Sequence, residues 1–242
     1  MSGSFESLKE KFILNFVADN RWRYLLQGLG NTLKITFGAV VLGIAIGVIV
    51  AIIRSTWDKT SEDMHPGAGR FILGAANAVC KVYLTVIRGT PVVIQLMIIY
   101  YVIFASSNNG VAVAMLAFGI NSGAYVAEIV RGGIMSVDAG QFEAGRSLGF
   151  GYVQTMRYII IPQAFKTVLP TLANEFIVLL KETAVSGYIS VMDLTKGGDI
   201  IRGRTFSAFM PLFAVAIVYL ILVMFFSWLV GKLERRLRSS DH

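Results

Sequence analysis

The sequence predicts an all-α membrane protein with five transmembrane helices and one short helix outside the membrane. Three observations predict this class. First, 55% of the 242 residues are hydrophobic and 15% are charged, and the mean hydropathy is +0.65, so there is too little polar surface to cover a soluble globule of this size. Second, several apolar runs reach the roughly 20 residues that a helix needs to cross a bilayer. Third, a polar stretch at 136–162 separates two of these runs.

The predicted spans differ in how continuous they are. Three meet the length requirement without interruption: 32–53, 111–130 and 208–231. Two are interrupted, 71–105 and 163–182. The first of these is expected to be one long helix that begins amphipathic and becomes wholly apolar after Pro91.

The spans also divide the chain. Residues 1–26 form an N-terminal amphipathic segment, in which apolar residues among charges suit a helix lying on the membrane surface. Residues 27–238 form the transmembrane domain, with the polar loop at 136–162, and residues 239–242 form a tail.

Prolines mark the places where helices should bend. Pro91 lies where the second span changes character, and it should kink or restart the helix there. Pro162 suits the first turn of a helix. Pro170, inside the fourth span, leaves a backbone carbonyl that only protein or trapped water can satisfy. The candidate hinge residues are Arg88, Gly89, Pro91, Pro162 and Pro170.

Polar residues inside the spans are the candidate pathway for a solute. Asn121, Tyr125 and Glu128 recur at i, i+4 and i+7, so they share one face of the third span. A polar face within a bilayer must contact protein or water. Asn174 and Glu175 lie well inside the fourth span, where an ionised carboxylate costs several kcal/mol unless it pairs or meets water.

Each of the two carboxylates has two interpretations. For Glu128, an interfacial anchor paired with Arg131 is favoured over a pathway role. For Glu175, a role in the translocation pathway and an internal salt bridge are equally consistent with the sequence. If Glu175 faces the pathway, it should favour cationic substrates.

The polar stretch between the third and fourth spans should contain a helix of about ten residues, roughly 15 Å long. Asp138 and, three residues later, Gln141 form a capping-box-like start, and Gly149 marks the end. Such a helix suits a socket on another protein. One side is expected to carry Phe142 and Leu148, with Glu143 and Arg146 elsewhere.

Several function classes have no motif in this chain. It contains no Gly-x-x-x-x-Gly-Lys-Ser/Thr phosphate loop, no Gly-x-Ser-x-Gly nucleophile elbow and no metal-ligand spacing around its 2 histidines. We therefore expect no catalytic residues, metal or cofactor here, and any ATP must be handled by a partner. The net charge of +7 is scattered between spans, which argues against a nucleic-acid partner.

The segment 143–149, of sequence EAGRSLG, is followed after nine residues by IIIP at 159–162. It resembles the cytoplasmic coupling loop of the membrane subunits of binding-protein-dependent ABC importers, whose pattern is EAA, three residues, Gly, nine residues, Ile, one residue and Leu-Pro. Two positions differ, because Gly145 replaces the second Ala and Ile161 replaces Leu. Further resemblance to the polar amino acid permeases of this family comes from RGTP at 88–91, NSGAY at 121–125 and NEF at 174–176.

The resemblance implies a subunit of the plasma (inner) membrane with its N-terminus outside and its C-terminus in the cytoplasm. It implies pairing with a second permease, either another copy or a paralogue, and delivery of substrate by an extracytoplasmic amino-acid-binding protein. Two ABC ATPase subunits would bind ATP and Mg²⁺ and dock on the coupling helix. The coupling residues would be Glu143, Ala144, Arg146, Gly149 and Phe142. Glu143 would hydrogen-bond or pair locally, and Gly149 would let the chain turn.

The predicted function is translocation of a polar amino acid, driven by ATPase closure that pushes residues 139–149 and rocks the spans. The alternative is an ATP-independent secondary transporter or channel for a small polar solute, in which Glu128 and Glu175 would be proton or ion sites. The absence of a detectable inverted repeat counts against it. A non-transporting scaffold would not require a long kinked helix with a buried carboxylate. The amino acid carried, and the choice between homodimer and heterodimer, stay open.

Overall fold

A computed structural model describes residues 2–238, and these residues form helices with short connections and no strand. The all-helical class predicted from the sequence is confirmed. The predicted tail at 239–242 lies outside the described residues. The helices are α1 (Ser2–Phe12), α2 (Trp22–Thr60), α3 (Ala68–Gly89), α4 (Val92–Ile98), α5 (Gly110–Met135), α6 (Ala139–Ser147), α7 (Tyr152–Thr155), α8 (Ile161–Glu182), α9 (Leu194–Thr205) and α10 (Phe209–Arg238).

Four of the described helices are long and apolar enough to cross a membrane, namely Trp22–Thr60, Ala68–Gly89, Gly110–Met135 and Phe209–Leu237. Helix α8 has 22 residues, which is sufficient length, but its polar residues leave it less apolar than those four. The fourth span, at 163–182, therefore stays a prediction. Helix α2 has 39 residues, about 58 Å at 1.5 Å per residue, so it extends past both ends of the predicted 32–53 span.

Residues 71–105 do not form one continuous helix, because the chain restarts at Pro91, which is one of the two outcomes predicted there. Helix α3 ends at Gly89, and Thr90 is extended with φ −123° and ψ 146°. Pro91 disfavours the helical conformation in the residue before it and has no N–H to donate to the preceding turn. Helix α4 then begins at Val92 and passes into a π-helical turn at Ile99–Ile103.

The described chain divides into two compact units. Unit 1 contains residues up to 39, 93–118 and 177–228, and unit 2 contains 40–92, 119–176 and the chain from 229. The fully buried side chains of unit 1 include Ile35, Leu96, Phe118, Leu180 and Leu194. Unit 2 has one apolar cluster of Val50, Cys80, Leu84, Ala124 and Ala127 and another of Ile134, Ile160 and Ala164.

The N-terminal segment is attached to unit 1 by a buried polar contact. Helix α1 is followed by a π-helical turn at Ile13–Val17 and a short 3-10 turn at Ala18–Asn20. Asn15 is fully buried, and the Thr205 hydroxyl donates to its Oδ1 at 2.8 Å. Asp19, with φ 53°, and Asn20, with φ 54°, redirect the chain into α2. Contact between this segment and a membrane surface stays a prediction.

Candidate coupling and translocation sites

Helix α6 spans Ala139–Ser147, close to the helix expected from the polar stretch. Asp138 caps its N-terminus, and its Oδ1 accepts the Gly140 N–H at 2.7 Å. The expected capping box does not close. Instead, Gln141 Oε1 accepts a hydrogen bond from Gln163 Nε2 at 3.3 Å, because α8 places a side-chain donor beside it. This contact joins the start of α6 to the start of α8.

The C-terminus of α6 ends in two hydrogen bonds that reverse the chain. The Gly149 N–H donates to the Arg146 carbonyl at 2.9 Å, and the Phe150 N–H donates to the Gly145 carbonyl at 3.0 Å. This is the Schellman arrangement, which needs a left-handed residue just past the helix. Gly149 supplies it with φ 82°. The chain therefore turns at Gly149, as the sequence predicts.

The two faces of α6 differ in burial. Phe142 packs against the cluster of Ile134, Ile160 and Ala164, whereas Leu148 is 70% exposed. The expectation that Phe142 and Leu148 share a side is wrong, because six residues at 100° each place them on different faces. Glu143, Ala144, Arg146 and Ser147 are also exposed.

Glu143 does not pair locally, contrary to the sequence-based expectation. Within residues 2–238 its exposed carboxylate makes no hydrogen bond or ion pair. The Glu143 side chain is exposed, whereas Phe142, the residue before it, is packed inward. The carboxylate is thus available to a group on another protein.

Gly145, which departs from the family pattern, lies against a buried side chain. A Cβ at this position would lie 2.7 Å from both Oγ1 and Cγ2 of Thr155. Thr155 is 2% exposed and its hydroxyl has no hydrogen-bond partner in the described part of the chain. An alanine at 145 would therefore force the Thr155 side chain to shift, which glycine avoids.

The last turn of α2 and the turn that follows it contact the end of α5 and helix α6. Arg131 Nη1 donates to Asp58 Oδ2 at 2.8 Å. The Lys59 ammonium lies 4.5 Å from the centre of the Phe142 ring. Farther along, Arg146 Nη2 lies 3.1 Å from Asp63 Oδ2. The sequence signal that could have indicated these contacts is the set of charges directly after an apolar span.

The polar face of α5 has a different ionic partner from the one expected. Arg88 lies 3.8 Å from the carboxylate of Glu128, and its guanidinium is 5.9 Å from the centre of the Tyr125 ring. The predicted pairing of Glu128 with Arg131 is wrong. Each residue has another partner instead. The end of α3 places Arg88 beside Glu128, and the end of α2 places Asp58 beside Arg131.

The remaining pathway candidates lie on α5 and α8. Asn121 is 2% exposed. The Ser122 hydroxyl donates to Glu175 Oε1 at 3.3 Å, a partner that sequence reasoning missed although Ser122 adjoins Asn121. Asn174 is exposed, and its Nδ2 donates to the Pro170 carbonyl at 3.3 Å. The structure therefore brings Glu175 to α5 and leaves Asn174 on an open face of α8.

The remaining hinge candidates, Pro162 and Pro170, both lie in α8. Pro162 is its second residue and follows a π-helical turn at Met156–Ile160. Because proline has no N–H, a carbonyl of the preceding turn lacks its helical donor, and a π-helical turn is one way for a helix to absorb this. Pro170 lies within the helix.

Between α8 and α9, sequence reasoning missed a buried carboxylate in unit 1. Asp193 is fully buried and caps α9. Its Oδ1 accepts the Lys196 N–H at 2.6 Å, and its Oδ2 accepts the Gly187 N–H at 2.8 Å. Burial raises the pKa of Asp193 from 3.8 to about 6, while these N–H groups and the Lys196 charge oppose the shift.

The start of α9 lies against α2 at very short backbone distance. A Cβ on Gly28 would overlap the Asp193 carbonyl, and a Cβ on Gly197 would overlap the Tyr24 carbonyl. Beside these contacts, the Leu194 N–H donates to the Thr32 hydroxyl at 3.1 Å. Two glycines, one on each helix, therefore make this crossing possible.

The described residues contain no group of three or more His, Cys, Asp or Glu side chains that could hold a metal ion. Apart from Glu143, the carboxylates and cations described for the two sites take part in ion pairs, caps and helix contacts. What the arrangement offers chemically is charge and hydrogen bonding to a solute or a protein partner.

Comparison with known proteins covers nearly the whole chain. Residues 67–239 match the family of binding-protein-dependent transport system inner membrane components. The glutamine transport system permease protein GlnP of Escherichia coli (strain K12) is 37% identical over 219 residues, which are 88% of this chain and 93% of that protein.

Two solved structures are also similar. The crystal structure of an amino acid ABC transporter with histidines is 40% identical, with a TM-score of 0.78, and the match covers 91% of this chain and 98% of that one. An inward-facing structure of the MetNI methionine ABC transporter is 20% identical, with a TM-score of 0.74 and coverage of 89% and 97%. The second likeness shows the fold alone.

Proposed function

This chain belongs to the family of inner membrane components of binding-protein-dependent transport systems. We propose a role in transport for each of its two candidate sites. The chain is the permease component of an amino acid ABC importer and spans the membrane. In this family ATP hydrolysis is performed by separate ATPase subunits. The importer predicted from the sequence is confirmed, and the ATP-independent alternative is set aside.

The coupling site is the exposed face of α6. Glu143, Ala144, Ser147 and Leu148 form this face, and together they would occupy a socket on an ATPase subunit. The observation that carries the proposal is the two-sided helix: its ends are capped and Phe142 is packed inward, while an unpaired carboxylate and a 70% exposed leucine point outward. A rigidly held helix of this kind transmits a push without deforming.

The partners follow from the family and from the missing nucleotide motif. Two ATPase subunits would bind ATP and Mg²⁺, a second permease subunit would complete the membrane part, and an extracytoplasmic binding protein would deliver substrate. The chain itself would have no catalytic activity or cofactor. It would lie in the inner membrane with its N-terminus outside and its C-terminus in the cytoplasm.

The solute would be a polar amino acid moving along the polar side chains of α5 and α8. Glutamine is one candidate, since the Escherichia coli relative is a glutamine transport permease. The proposed path contains Asn121, Tyr125, Glu128, Asn174 and Glu175. Arg88 contacts two of these residues from the end of α3. Movement at the break between Gly89 and Pro91 would therefore change the charge beside the path.

A purification experiment tests the coupling site. The chain is tagged at its C-terminus, extracted from its native membrane in mild detergent, and its partners are identified by mass spectrometry. We expect an ATPase subunit with a phosphate loop to copurify, and to be lost when Glu143→Gln and Gly149→Ala are combined. The matched control combines Glu62→Gln with Gly132→Ala, an exposed carboxylate and a glycine with open space around it. Recovery of the chain alone, or equal recovery of the ATPase with both double variants, would contradict the proposal.

A further inference from the structure

We infer that residues 58–63, the last turn of α2 and the turn after it, form a brace that fixes the pivot of the coupling helix and releases its far end when the helix moves. The inference rests on the proposed coupling role of α6 and assigns a positioning role to Asp58 and Asp63. The brace consists of three contacts from this short segment to two successive helices. The positions of both ends of α6 therefore depend on α2 as well as on α5.

The three contacts follow the chain in order. Asp58 binds Arg131 near the end of α5 at 2.8 Å. Lys59 lies over the Phe142 ring in the first half of α6 at 4.5 Å. Asp63 then binds Arg146 in the last turn of α6 at 3.1 Å. One segment therefore touches the end of α5, the start of α6 and the end of α6.

The two ionic contacts differ in burial, so they differ in strength. The side chains of Asp58 and Arg131 are 26% and 29% exposed. The Nε of Arg131 is buried without a hydrogen-bond partner in the described residues, so loss of Asp58 would leave this half-buried cation without its carboxylate, an unfavourable state. The side chains of Asp63 and Arg146 are 71% and 74% exposed, and such surface pairs are weak and screened by salt.

This difference gives the brace a fixed end and a releasable end. Residues 136–138 are all that separates α5 from α6, so a push on α6 must shear its contacts with 58–63. The exposed contact of Asp63 with Arg146 yields first, since it holds least strongly. The half-buried contact of Asp58 with Arg131 persists and acts as the pivot. The Lys59 ammonium can slide over the Phe142 ring, because attraction to a ring face has little directional demand.

The fixed end is tested with the complete complex in proteoliposomes, including the ATPase and the binding protein. The readout is molecules imported per ATP hydrolysed, for the labelled amino acid that the wild type imports fastest. We expect Asp58→Asn to lower this ratio at least about fivefold, the low end of ordinary coupling energies. Combining Asp58→Arg with Arg131→Asp should restore at least half of the wild-type ratio. The matched control is Glu62→Gln, which removes an exposed carboxylate in the turn that follows α2.

A purely structural role for the pair would give a different result, since it would lower the amount of folded complex without changing the ratio. An unchanged ratio in Asp58→Asn, or a swap that restores nothing, would overturn the inference.

The releasable end is tested by locking it. Asp63→Cys and Arg146→Cys are combined in a Cys80→Ala background and linked by oxidation or by a short thiol-reactive linker. We expect import to fall at least about tenfold when the link is formed by oxidation, and to return when a reductant breaks it. Import by the linked complex at the unlinked rate would overturn the inference.

Failure of the inference is distinguishable from failure of the proposed function. If the wild-type complex shows no ATP-dependent uptake, or no ATPase copurifies with it, the coupling role itself fails. If the wild type imports with ATP and Asp58→Asn does so at the same ratio, only the brace fails.

Discussion

The Ser122 hydroxyl donates to Glu175 Oε1 at 3.3 Å and joins α5 to α8 at a carboxylate within the fourth predicted span. A hydroxyl donor stabilises the ionised carboxylate without neutralising it. The contact holds one oxygen of the Glu175 carboxylate against α5, which carries the other residues of the proposed path.

Replacing Glu175 tests whether its charge selects the solute. We expect Glu175→Gln to lower uptake of cationic amino acids relative to neutral ones by roughly fivefold, because loss of about 1 kcal/mol of attraction changes affinity by that factor. The measurement is competition between labelled arginine and labelled glutamine in proteoliposomes. Ser122→Ala is the matched control, since it removes the donor and keeps the charge. Equal ratios in the wild type and Glu175→Gln would remove Glu175 from the selective part of the path.

The end of α6 should depend on the left-handed conformation of Gly149. Gly149→Ala should destabilise the turn by about 1 kcal/mol, because an alanine is strained at a φ of 82°. A Cβ at this site would meet no neighbouring atom, so this backbone strain is the whole expected effect. Limited proteolysis between α6 and α7 and uptake per ATP are the two measurements. The corresponding change in a helix, Gly132→Ala, should not destabilise the subunit, because alanine is favoured over glycine in a helix interior. Wild-type values for Gly149→Ala in both assays would show that the turn does not need glycine.

The packing of Gly145 against Thr155 predicts a compensating pair. Gly145→Ala restores the alanine of the family pattern, yet it should destabilise the subunit by about 1 to 3 kcal/mol because its Cβ overlaps Thr155. Thr155→Ala removes both atoms that cause the overlap. A double-mutant cycle on the thermal stability of the purified subunit measures the coupling between the two positions. Additive effects would exclude the proposed overlap.

The stability of unit 1 should depend on pH through Asp193. Its pKa is about 6 in the fold and near 3.9 in an unfolded chain, so the folded state binds more protons between these values. Stability should therefore fall as pH rises from about 4 to 6, by about 3 kcal/mol in total. The measurement is the Tm of the purified subunit over this range, and Asp193→Asn should flatten the slope.

Asp199 provides a control of opposite sign. Its hydrogen bond with Arg202 lowers the pKa of this carboxyl, so its contribution is lost as pH falls. Asp199→Asn should leave the downward slope in place. A slope that is the same in the wild type and in Asp193→Asn would assign the pH dependence to other groups.

The sequence predicted the parts of this molecule that depend on local pattern. The apolar runs, the break at Pro91, the short helix capped by Asp138 and the turn at Gly149 all follow from residue types at fixed spacing. The expectation that Phe142 and Leu148 share a side of α6 is wrong for an equally local reason, since a separation of six residues places them on different faces of a helix.

Partners brought together by folding could not be predicted in this way. Glu128 has a cation three residues away in Arg131, yet it pairs with Arg88, forty residues earlier in the chain. The burial of Asp193 and the particular partners of the charged residues at 58–63 likewise depend on how the helices pack. Helix packing determines which charged groups meet, and this packing has no short-range signal in the chain.

The crossing of α2 and α9 has a genetic consequence. Gly28 faces the main-chain carbonyl of Asp193, and Gly197 faces that of Tyr24, so no side-chain change on the opposite helix can make room for a larger residue. Suppressor screens that start from Gly145→Ala should return substitutions at Thr155. Screens that start from a substitution at Gly28 or Gly197 should return only reversions. Both positions should remain glycine in any directed evolution of this subunit.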